Sequence, residues 1–221
     1  MRYCVLIPSY NEAKTIGRIV GEVKAMGLWV LVVDDGSTDR TSSVAAASGA
    51  EIIRNPVNMG KGAALRKGFD HVLRLDLEAV VIMDGDGQHK VDDIDNFVKK
   101  MEETGADMVI GNRMTDTVTM PGVRVGTNQL MSYFISTICG HSIPDTQCGF
   151  RMIKLGVLRK IKLKSDRFEI ESEMIIRAAR ARFKIESVPV KTVYQDEKSR
   201  IDQVIDALRF IALIIRIFIG R

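Results

Sequence analysis

The sequence predicts an α/β fold, in which a mostly parallel β-sheet is flanked by helices. Short runs of apolar residues recur along the first half of the chain, as in strands that are buried on both faces of a sheet. Amphipathic segments with a helical period separate these runs, and this alternation is typical of a parallel sheet. The chain has 221 residues, of which 46% are hydrophobic and 27% are charged. It is therefore predicted to be globular, with one domain and a short extension.

The strands are predicted from apolar runs that are bounded by polar or turn-forming residues. The runs are nearly continuous, with little alternation between apolar and polar residues, as expected for strands covered by helices on both faces. The five predicted strands are YCVLIP (3–8), WVLVVDD (29–35), EIIR (51–54), AVVIMD (79–84) and DMVIG (107–111).

The helices are predicted from apolar residues that recur three and four positions apart. In the first helix, Ile16, Ile19, Val20 and Val23 fall on one side. The stretch 114–147 is the least regular part of the chain, and we expect it to bind an acceptor. The predicted helices are residues 15–26, 42–47, 60–74 and 91–104.

Charge and cysteine content narrow the class of protein. The net charge is +4 and the pI is about 9.0, which fits an anionic partner without choosing between a nucleotide, a nucleic acid and a membrane surface. The three cysteines, Cys4, Cys139 and Cys148, have no short paired spacing, which argues against a disulfide or zinc framework and favours a reducing compartment. The first apolar run is too short for a signal peptide, and no run of about 20 apolar residues predicts a membrane span.

The unusual residues cluster at one predicted edge of the sheet. Residues 8–12, 34–39, 84–89 and 111–113 each follow a predicted strand. Ligands of parallel sheets bind beyond the carboxyl ends of the strands. The sequence therefore predicts one site that is assembled from these four segments.

The stretch DDGSTDRT places two adjacent carboxylates, Asp34 and Asp35, at the end of the second strand. A strand-to-helix turn explains Gly36 and the capping residues after it. It does not explain two adjacent carboxylates, which repel one another unless a cation or hydrogen-bond donors meet them. The hydroxyls of a ribose and the N–H groups of a base are such donors, so this pair predicts a nucleoside site.

The stretch NMGKGAALRKGF places Lys61 between two glycines at a helix start. It lacks the spacing of a P-loop and of a dinucleotide-binding loop. It is either an ordinary helix start or an element that shapes a loop or lies near a phosphate.

The stretch MDGDGQH follows the fourth strand and offers three oxygen ligands, Asp84, Asp86 and Gln88. It is a turn, a helix start, solvated surface, or a site for Mg²⁺ or Mn²⁺, which prefer oxygen ligands. The spaced acidic residues of an EF-hand are missing. Its position directly after a buried strand favours the metal.

Several charged residues later in the chain admit two interpretations. Each cation is either a solvated surface charge or an anion-binding group, and the set is Arg113, Arg124, Arg151, Lys198 and Arg200. Each glutamate of FEIESEM is either part of a solvated helix start or a catalytic base, and the set is Glu169, Glu171 and Glu173.

Taken in order, IPSYNEA, VVDDGSTDRT, NMGKGAALRKGF, MDGDGQH, GNR and DTQCGFRM resemble the motifs of family 2 glycosyltransferases. Within that family the chain looks most like the dolichyl- or polyprenyl-phosphate hexose synthases. The resemblance covers about residues 1 to 200 and implies the GT-A nucleotide-diphospho-sugar transferase fold. Where the family often has serine, this chain has Cys148, to which we assign no catalytic role.

The resemblance implies roles for the residues that match these motifs. The implied nucleotide-sugar pocket, to which we add Lys61 from its helix start, consists of Pro8, Tyr10, Glu12, Asp34, Asp35, Lys61, Asp84 and Gly85. The implied ligands of Mg²⁺ or Mn²⁺ are Asp84, Asp86 and Gln88. The implied acceptor-phosphate residues are Arg113, Arg124, Asn128, Lys198 and Arg200. The catalytic set is Asp86, Arg113 and Arg124.

The resemblance also implies a reaction. A hexose would pass with inversion from a UDP- or GDP-linked donor to a polyprenyl or dolichyl phosphate, with no role for nucleic acid. A lipid phosphate is largely dianionic at neutral pH and needs no general base. A soluble or glycan hydroxyl acceptor would need one, and Glu171 keeps this alternative open. A third alternative is a nucleotide-sugar-binding subunit without turnover.

The last segment, residues 201–221, is predicted as an amphipathic helix beyond a catalytic domain of residues 1–200. It is either a terminal helix packed on the core or a helix that lies in a membrane interface, because it is too short to span a bilayer. We favour the second interpretation. It predicts a cytoplasmic protein held peripherally at the cytoplasmic face of a membrane, with self-association or a membrane partner through the same surface.

Overall fold

The computed structural model describes residues 1–118, 120–192 and 212–215. Within these ranges the chain forms seven strands and seven α-helices, besides a 3₁₀ turn at Val91–Asp93 and the helical residues 212–215. The strands are β1 (Tyr3–Ser9), β2 (Trp29–Asp34), β3 (Glu51–Arg54), β4 (Ala79–Ile82), β5 (Met108–Asn112), β6 (Arg151–Lys154) and β7 (Ile185–Pro189). The helices are α1 (Ile16–Ala25), α2 (Thr41–Ala47), α3 (Lys61–Val72), α4 (Ile94–Thr104), α5 (Gly122–Cys139), α6 (Leu155–Lys160) and α7 (Ile170–Arg180).

The strands form one mostly parallel sheet in the order β3-β2-β1-β4-β6-β5-β7. Every neighbouring pair is parallel except the two that involve β6, which runs antiparallel between β4 and β5. The five predicted strands are thus confirmed as β1 to β5, and their ends differ from the prediction by at most two residues. The sequence analysis did not predict β6 and β7.

The core lies on both faces of this sheet. Residues 4–7 of β1 are fully buried, as expected for a central strand that is covered by helices on either side. The four apolar residues of α1, which are Ile16, Ile19, Val20 and Val23, are also fully buried. The helical period read from the sequence therefore identifies the face of α1 that packs on the sheet.

The strand order places the candidate site. After β1 the chain moves outward through β2 and β3, and it then returns to β4 on the other side of β1. Such a reversal of strand order opens a crevice at the carboxyl ends of the two central strands, and ligands of open α/β sheets bind there. The loops after β1, β2 and β4 all end at this crevice.

The region 114–147, predicted as the least regular part of the chain, contains an 18-residue helix, α5. This prediction was wrong because α5 is rich in glycine, serine and threonine, which lower helix propensity, and has a weak apolar period. Tertiary contacts stabilise the helix instead. Its buried side carries Asn128, Ser132 and Ile135, which lie one helical turn apart.

The opposite side of α5 is exposed and apolar. We call this surface the α5 outer face; its large side chains are Val123, Leu130, Tyr133 and Phe134. Tyr133 is 68% exposed and Leu130 is 57% exposed. An exposed group of large apolar side chains on one helix is typical of a binding surface.

Little of the predicted terminal helix falls within the described residues. Residues 212–215 are helical, Leu213 packs into the core, and Ile215 is 51% exposed. The remainder of 201–221 lies outside the described residues, so the membrane-interface helix stays a prediction. Among the described residues, no helix is both long enough and apolar enough to cross a membrane.

Candidate active site

The carboxyl ends of the central strands bring the predicted segments together. Ser9, the last residue of β1, pairs with Asp34, the last residue of β2. Asp84 follows β4 on the other side of β1. The loop after β1 joins the two sides, because the Thr15 hydroxyl donates a 2.6 Å hydrogen bond to the carbonyl of Gly85. The first three predicted segments, 8–12, 34–39 and 84–89, therefore meet in one crevice.

Asp34 and Asp35 are both buried, and protein groups offset their mutual repulsion. Asp34 accepts a 2.8 Å hydrogen bond from the backbone N–H of Ser37 and another from the hydroxyl of Ser42. Asp35 accepts three hydrogen bonds of 2.7 to 3.0 Å from residues 55–60. The pair thus fixes the two loops that border the predicted nucleoside pocket, and contact with a nucleoside stays a prediction.

The loop after β1 carries the other residues predicted to bind the nucleotide. Pro8 is buried in β1, and Tyr10 and Glu12 are half-buried just beyond it. Gly85 faces this loop, since a Cβ at Gly85 would lie 2.7 Å from the Ser9 hydroxyl and 3.4 Å from Cγ of Glu12. The backbone of Gly85 therefore approaches the loop more closely than any side chain permits.

The glycines beside Lys61 serve packing within the protein. A Cβ at Gly60 would lie 2.4 Å from the carbonyl oxygen of Asp166, and one at Gly62 would lie 2.4 Å from that of Ser165. Since no real Cβ approaches so closely, the glycines allow the loop between α6 and α7 to pack on the start of α3. Of the alternatives for this stretch, the loop-shaping one matches the observed contacts.

Lys61 itself links two carboxylates. Its Nζ lies 2.5 Å from Oδ1 of Asp84 and 2.6 Å from Oε1 of Glu171. Burial alone would lower the pKa of Lys61, but the charges of Asp84 and Glu171 raise it overall, so the ammonium stays protonated. Burial alone would raise the pKa of Asp84, but neighbouring charges, Lys61 foremost, hold it below its usual range. Asp84 is therefore an anion near neutral pH.

Gly149 makes room for this ion pair. A Cβ at Gly149 would lie 2.3 Å from Oδ2 of Asp84 and 2.9 Å from Nζ of Lys61. Any other residue would displace one of the two charges. Gly149 was not predicted as a site residue, and its position within DTQCGFRM is the sequence signal for this role.

His89, which follows the two aspartates, is buried against the ring of Phe150 at a centroid distance of 5.1 Å. Its Nε2 lies 3.9 Å from Oδ2 of Asp84. Burial foremost lowers the pKa of His89 to about 4, so the imidazole is neutral at pH 7. Lys61, not His89, is therefore the positive neighbour of Asp84.

The predicted metal ligands lie on one short turn. Oδ1 of Asp86 accepts a 2.9 Å hydrogen bond from the backbone N–H of Gln88, and Gly87 between them has a φ of 77°. Within the described residues, no group of three or more His, Cys, Asp and Glu side chains surrounds a metal position. Two carboxylates and an amide oxygen fit Mg²⁺ or Mn²⁺, because such ions take their other ligands from phosphate oxygens and water.

Arg113, at the end of β5, is held by the fully buried carboxylate of Asp145. Its Nε and Nη2 donate hydrogen bonds of 2.7 and 2.9 Å to the two oxygens of Asp145, and its backbone N–H donates a third of 3.0 Å. The charge of Arg113 also helps to lower the pKa of Asp84, which places the two groups in one electrostatic environment. Asp145 is a site residue that the sequence analysis missed, although it begins the DTQCGFRM motif.

Other predicted site residues have internal partners. Arg151 is 1% exposed and donates to the carbonyls of Cys148, Thr146 and Glu171, so it braces the loop before β6 and is not a surface charge. Burial raises the pKa of Cys148 to about 12, which agrees with its assignment as non-catalytic.

The residues predicted to bind the acceptor phosphate differ in their burial and in their contacts. Arg124 is half-buried in the first turn of α5, and among the described residues its guanidinium has no hydrogen-bond partner. Asn128 is buried one turn later, and its side-chain amide forms hydrogen bonds with Asp145 and Ser132. Lys198 and Arg200 lie outside the described residues.

The order and geometry of these motifs agree with a sequence comparison. Residues 4–162 match the family described as glycosyl transferase family 2. The chain belongs to this family. It is therefore a glycosyltransferase, and its fold is that of the GT-A glycosyltransferases. The expected family, fold and enzyme class are confirmed.

Two relatives and one solved structure show how this family 2 glycosyltransferase compares with known proteins. Glycosyltransferase AglJ of Haloferax volcanii is 33% identical over 93% of this chain and 67% of its own. Polyprenol monophosphomannose synthase of Mycolicibacterium smegmatis is 30% identical over 86% of this chain and 76% of its own. Glucosyl-3-phosphoglycerate synthase of Mycobacterium tuberculosis, in complex with Mn²⁺, UDP-glucose and phosphoglyceric acid, superimposes with a TM-score of 0.75. It is 19% identical and covers 97% of this chain and 78% of its own.

Proposed function

We propose that this glycosyltransferase moves a hexose from a UDP- or GDP-linked donor to a polyprenyl phosphate, with Mg²⁺ or Mn²⁺ as cofactor. The observation that carries the proposal is an arginine held by a buried carboxylate at the same edge of the sheet as a two-aspartate turn. Arg113 is fixed on Asp145 and shares the electrostatic environment of Asp84. A reaction between a diphosphate sugar and a phosphate brings two anions together, and a metal held by the turn and the guanidinium of Arg113 would supply one cation to each.

On the donor side, Asp84, Asp86 and Gln88 would hold the metal and the loops fixed by Asp34 and Asp35 would border the nucleoside. When bound, a divalent metal stabilises the negative charge that develops on the leaving diphosphate. On the acceptor side, the guanidinium of Arg113 would bind the phosphate, for which its planar geometry suits it better than a lysine. Direct attack of the phosphate oxygen on the anomeric carbon inverts the configuration.

The pairing of two of the three candidate glutamates, Glu171 and Glu173, supports a phosphate over a hydroxyl as the acceptor. Glu171 shares its Oε1 with Lys61 at 2.6 Å, and Glu173 accepts hydrogen bonds from Arg177 and from the backbone of residues 164–165. Both carboxylates thus already accept hydrogen bonds from cationic side chains, which does not favour either one as a general base. A phosphate acceptor with a second pKa of about 6 is already ionised and needs none.

The α5 outer face supports a lipid-borne acceptor at a membrane surface. It runs along the helix whose first turn carries Arg124 and whose buried side carries Asn128. A polyprenyl chain that leaves the phosphate would meet an apolar surface there, and the same surface would contact a bilayer interface. The name of the mycobacterial relative, polyprenol monophosphomannose synthase, is consistent with this class of acceptor.

Transfer of radiolabel from nucleotide sugars into organic-extractable lipid tests the proposal. The purified chain is incubated with polyprenyl phosphate, Mg²⁺ or Mn²⁺ and a panel of UDP- and GDP-hexoses, and Asp86→Ala protein is the control. Label in the lipid phase with wild type alone supports the proposal. Label only in water-soluble or glycan products would instead identify a hydroxyl acceptor. Donor binding without transfer to any acceptor would identify a binding subunit.

A further inference from the structure

The carboxylate of Asp145 is the centre of a buried network. Oδ2 accepts from the backbone N–H and Nε of Arg113, at 3.0 and 2.7 Å. Oδ1 accepts from Nη2 of Arg113 at 2.9 Å, from Nδ2 of Asn128 at 2.7 Å and from the backbone N–H of Gln147 at 3.2 Å. A carboxylate offers about four acceptor positions, so these five donors saturate it.

Saturation limits what Asp145 does in the site. Burial alone would raise its pKa, but the hydrogen bonds and charge of Arg113, with the bond from Asn128, hold that pKa below its usual range. Asp145 therefore stays an anion, and its oxygens have no remaining capacity for a metal or a proton in transfer. Its effect on the reaction has to pass through Arg113.

The same network reaches helix α5. Asn128 donates to Asp145 through Nδ2, and its Oδ1 accepts a 2.9 Å hydrogen bond from the hydroxyl of Ser132. The Ser132 hydroxyl also accepts a 3.0 Å hydrogen bond from the backbone N–H of Thr146, next to Asp145. Three separate parts of the chain, the end of β5, helix α5 and the loop before β6, are thus joined around one buried charge.

We propose that Asp145, Asn128 and Ser132 are positioning residues, which make the place of the Arg113 guanidinium depend on the place of α5. This rests on the proposed function in so far as Arg113 binds the acceptor phosphate. It reassigns Asn128, which acts on the phosphate through Asp145 and Arg113 rather than by touching it. Because the α5 outer face lies on the other side of the same helix, an acceptor that docks there and the guanidinium that meets its phosphate are mechanically coupled.

Two serines on α5 provide a matched test. Ser132 and Ser136 are one turn apart, and the hydroxyl of each accepts a hydrogen bond from the backbone of loop 141–146. The donor to Ser132 is the N–H of Thr146, and the donor to Ser136 is the N–H of Ile143. Only Ser132 also bonds to Asn128. Ser132→Ala therefore interrupts the network, whereas Ser136→Ala removes a comparable loop contact and leaves the network intact.

The first measurement needs no substrate. Solvent exchange of the Arg113 Nε–H is followed by ¹⁵N NMR of the full chain, with the resonance assigned by its loss in Arg113→Lys. We expect exchange to speed up about tenfold in Ser132→Ala, the scale of losing one hydrogen bond in a charged network, and to stay unchanged in Ser136→Ala. Asn128→Ala should give a larger change in the same direction. Equal exchange in wild type and both α5 network variants overturns the inference.

The second measurement separates positioning from general damage. With the acceptor identified by the transfer assay, we expect the KM for that acceptor to rise about tenfold in Ser132→Ala, while donor affinity and kcat change by less than about threefold. Ser136→Ala should match wild type in all three. An equal loss in both variants would mean that the serines act only through the loop, and would overturn the inference. If NMR shows the coupling but polyprenyl phosphate is not a substrate, the proposed function fails and the network stands.

Discussion

Replacement of Glu171 by glutamine distinguishes a phosphate acceptor from a hydroxyl acceptor. Glu171 lies 2.6 Å from Nζ of Lys61, whose ammonium also lies 2.5 Å from Asp84. If Glu171 serves to hold Lys61, glutamine keeps an oxygen acceptor and loses only the charge. If Glu171 is a general base, glutamine removes the proton acceptor altogether.

The expected magnitude follows from the geometry of this pair. The side chain of Glu171 is 10% exposed, so solvent screens the ion pair little. Hydrogen bonds to charged groups contribute about 1.5 to 3 kcal/mol, and we take about 1.5 kcal/mol because the acceptor oxygen remains. For a chain of this size that loss lowers Tm by about 3 to 6 °C. The same energy, expressed fully in turnover, is about tenfold, against about a hundred- to ten-thousandfold for a lost general base.

The assay is transfer to polyprenyl phosphate at saturating donor and metal, with thermal unfolding of the same samples. Glu103→Gln is the control, because Glu103 forms an exposed pair with Lys99 and should change neither quantity. A double-mutant cycle with Lys61→Met should give non-additive losses if Glu171 acts through Lys61. A loss of about a thousandfold in turnover with donor binding kept would refute this assignment and favour the hydroxyl acceptor.

Four further predictions follow from the site. Asp86→Ala should abolish transfer and lower Tm by no more than about 4 °C, because Asp86 is half-buried and its carboxylate accepts one backbone hydrogen bond; near-native turnover would exclude Asp86 as a metal ligand. Gly149→Ala should lower turnover about a hundredfold, because the added Cβ displaces Asp84 or Lys61. Gly156→Ala is the control and should keep wild-type turnover, because a Cβ at Gly156 has no neighbour within 4 Å. Equal turnover in the two variants would contradict the close packing at Gly149. The pKa of Asp145 is lowered in the folded protein, so its contribution to stability is present above its unfolded pKa of about 3.9 and is lost as pH falls through the folded pKa. When Tm is measured from pH 7 to pH 2, we expect it to decrease once the pH is lower than about 4. The decrease should be smaller in Asp145→Asn. Chelation with EDTA should weaken nucleotide-sugar binding in calorimetry, and undiminished binding would argue against a metal bridge.

Local sequence patterns predicted most of the sheet but little of the region that we propose binds the acceptor. Strands β1 to β5 are continuous apolar runs, which sequence reveals directly because both of their faces are buried. Helix α5 has no comparable pattern. Its buried side presents Asn128 and Ser132, which are polar residues that pack by hydrogen bonding, so apolar periodicity could not detect the helix.

Most charged groups of the candidate crevice were singled out from the sequence, but their pairings were not. Lys61 and Glu171 are 110 positions apart, and Arg113 and Asp145 are 32 apart. Nothing in the local sequence predicts that an ammonium at a helix start will meet a glutamate at another helix start. Single-sequence analysis therefore identified which groups carry charge and missed that each main cation is already paired with a buried carboxylate.

These pairings determine what the site is able to bind. Three cations, Lys61, Arg113 and Arg151, lie among four carboxylates, those of Asp84, Asp86, Glu171 and Asp145, while His89 is neutral at pH 7. The cluster thus carries a net charge of −1, and a bare diphosphate would meet repulsion at the two-aspartate turn. A divalent cation would reverse the sign of this charge, so the proposed donor diphosphate would be accepted together with its metal. In the proposed reaction, the acceptor phosphate would then bind to Arg113, whose orientation is fixed before the phosphate arrives, and this would keep the cost of bringing two anions together low.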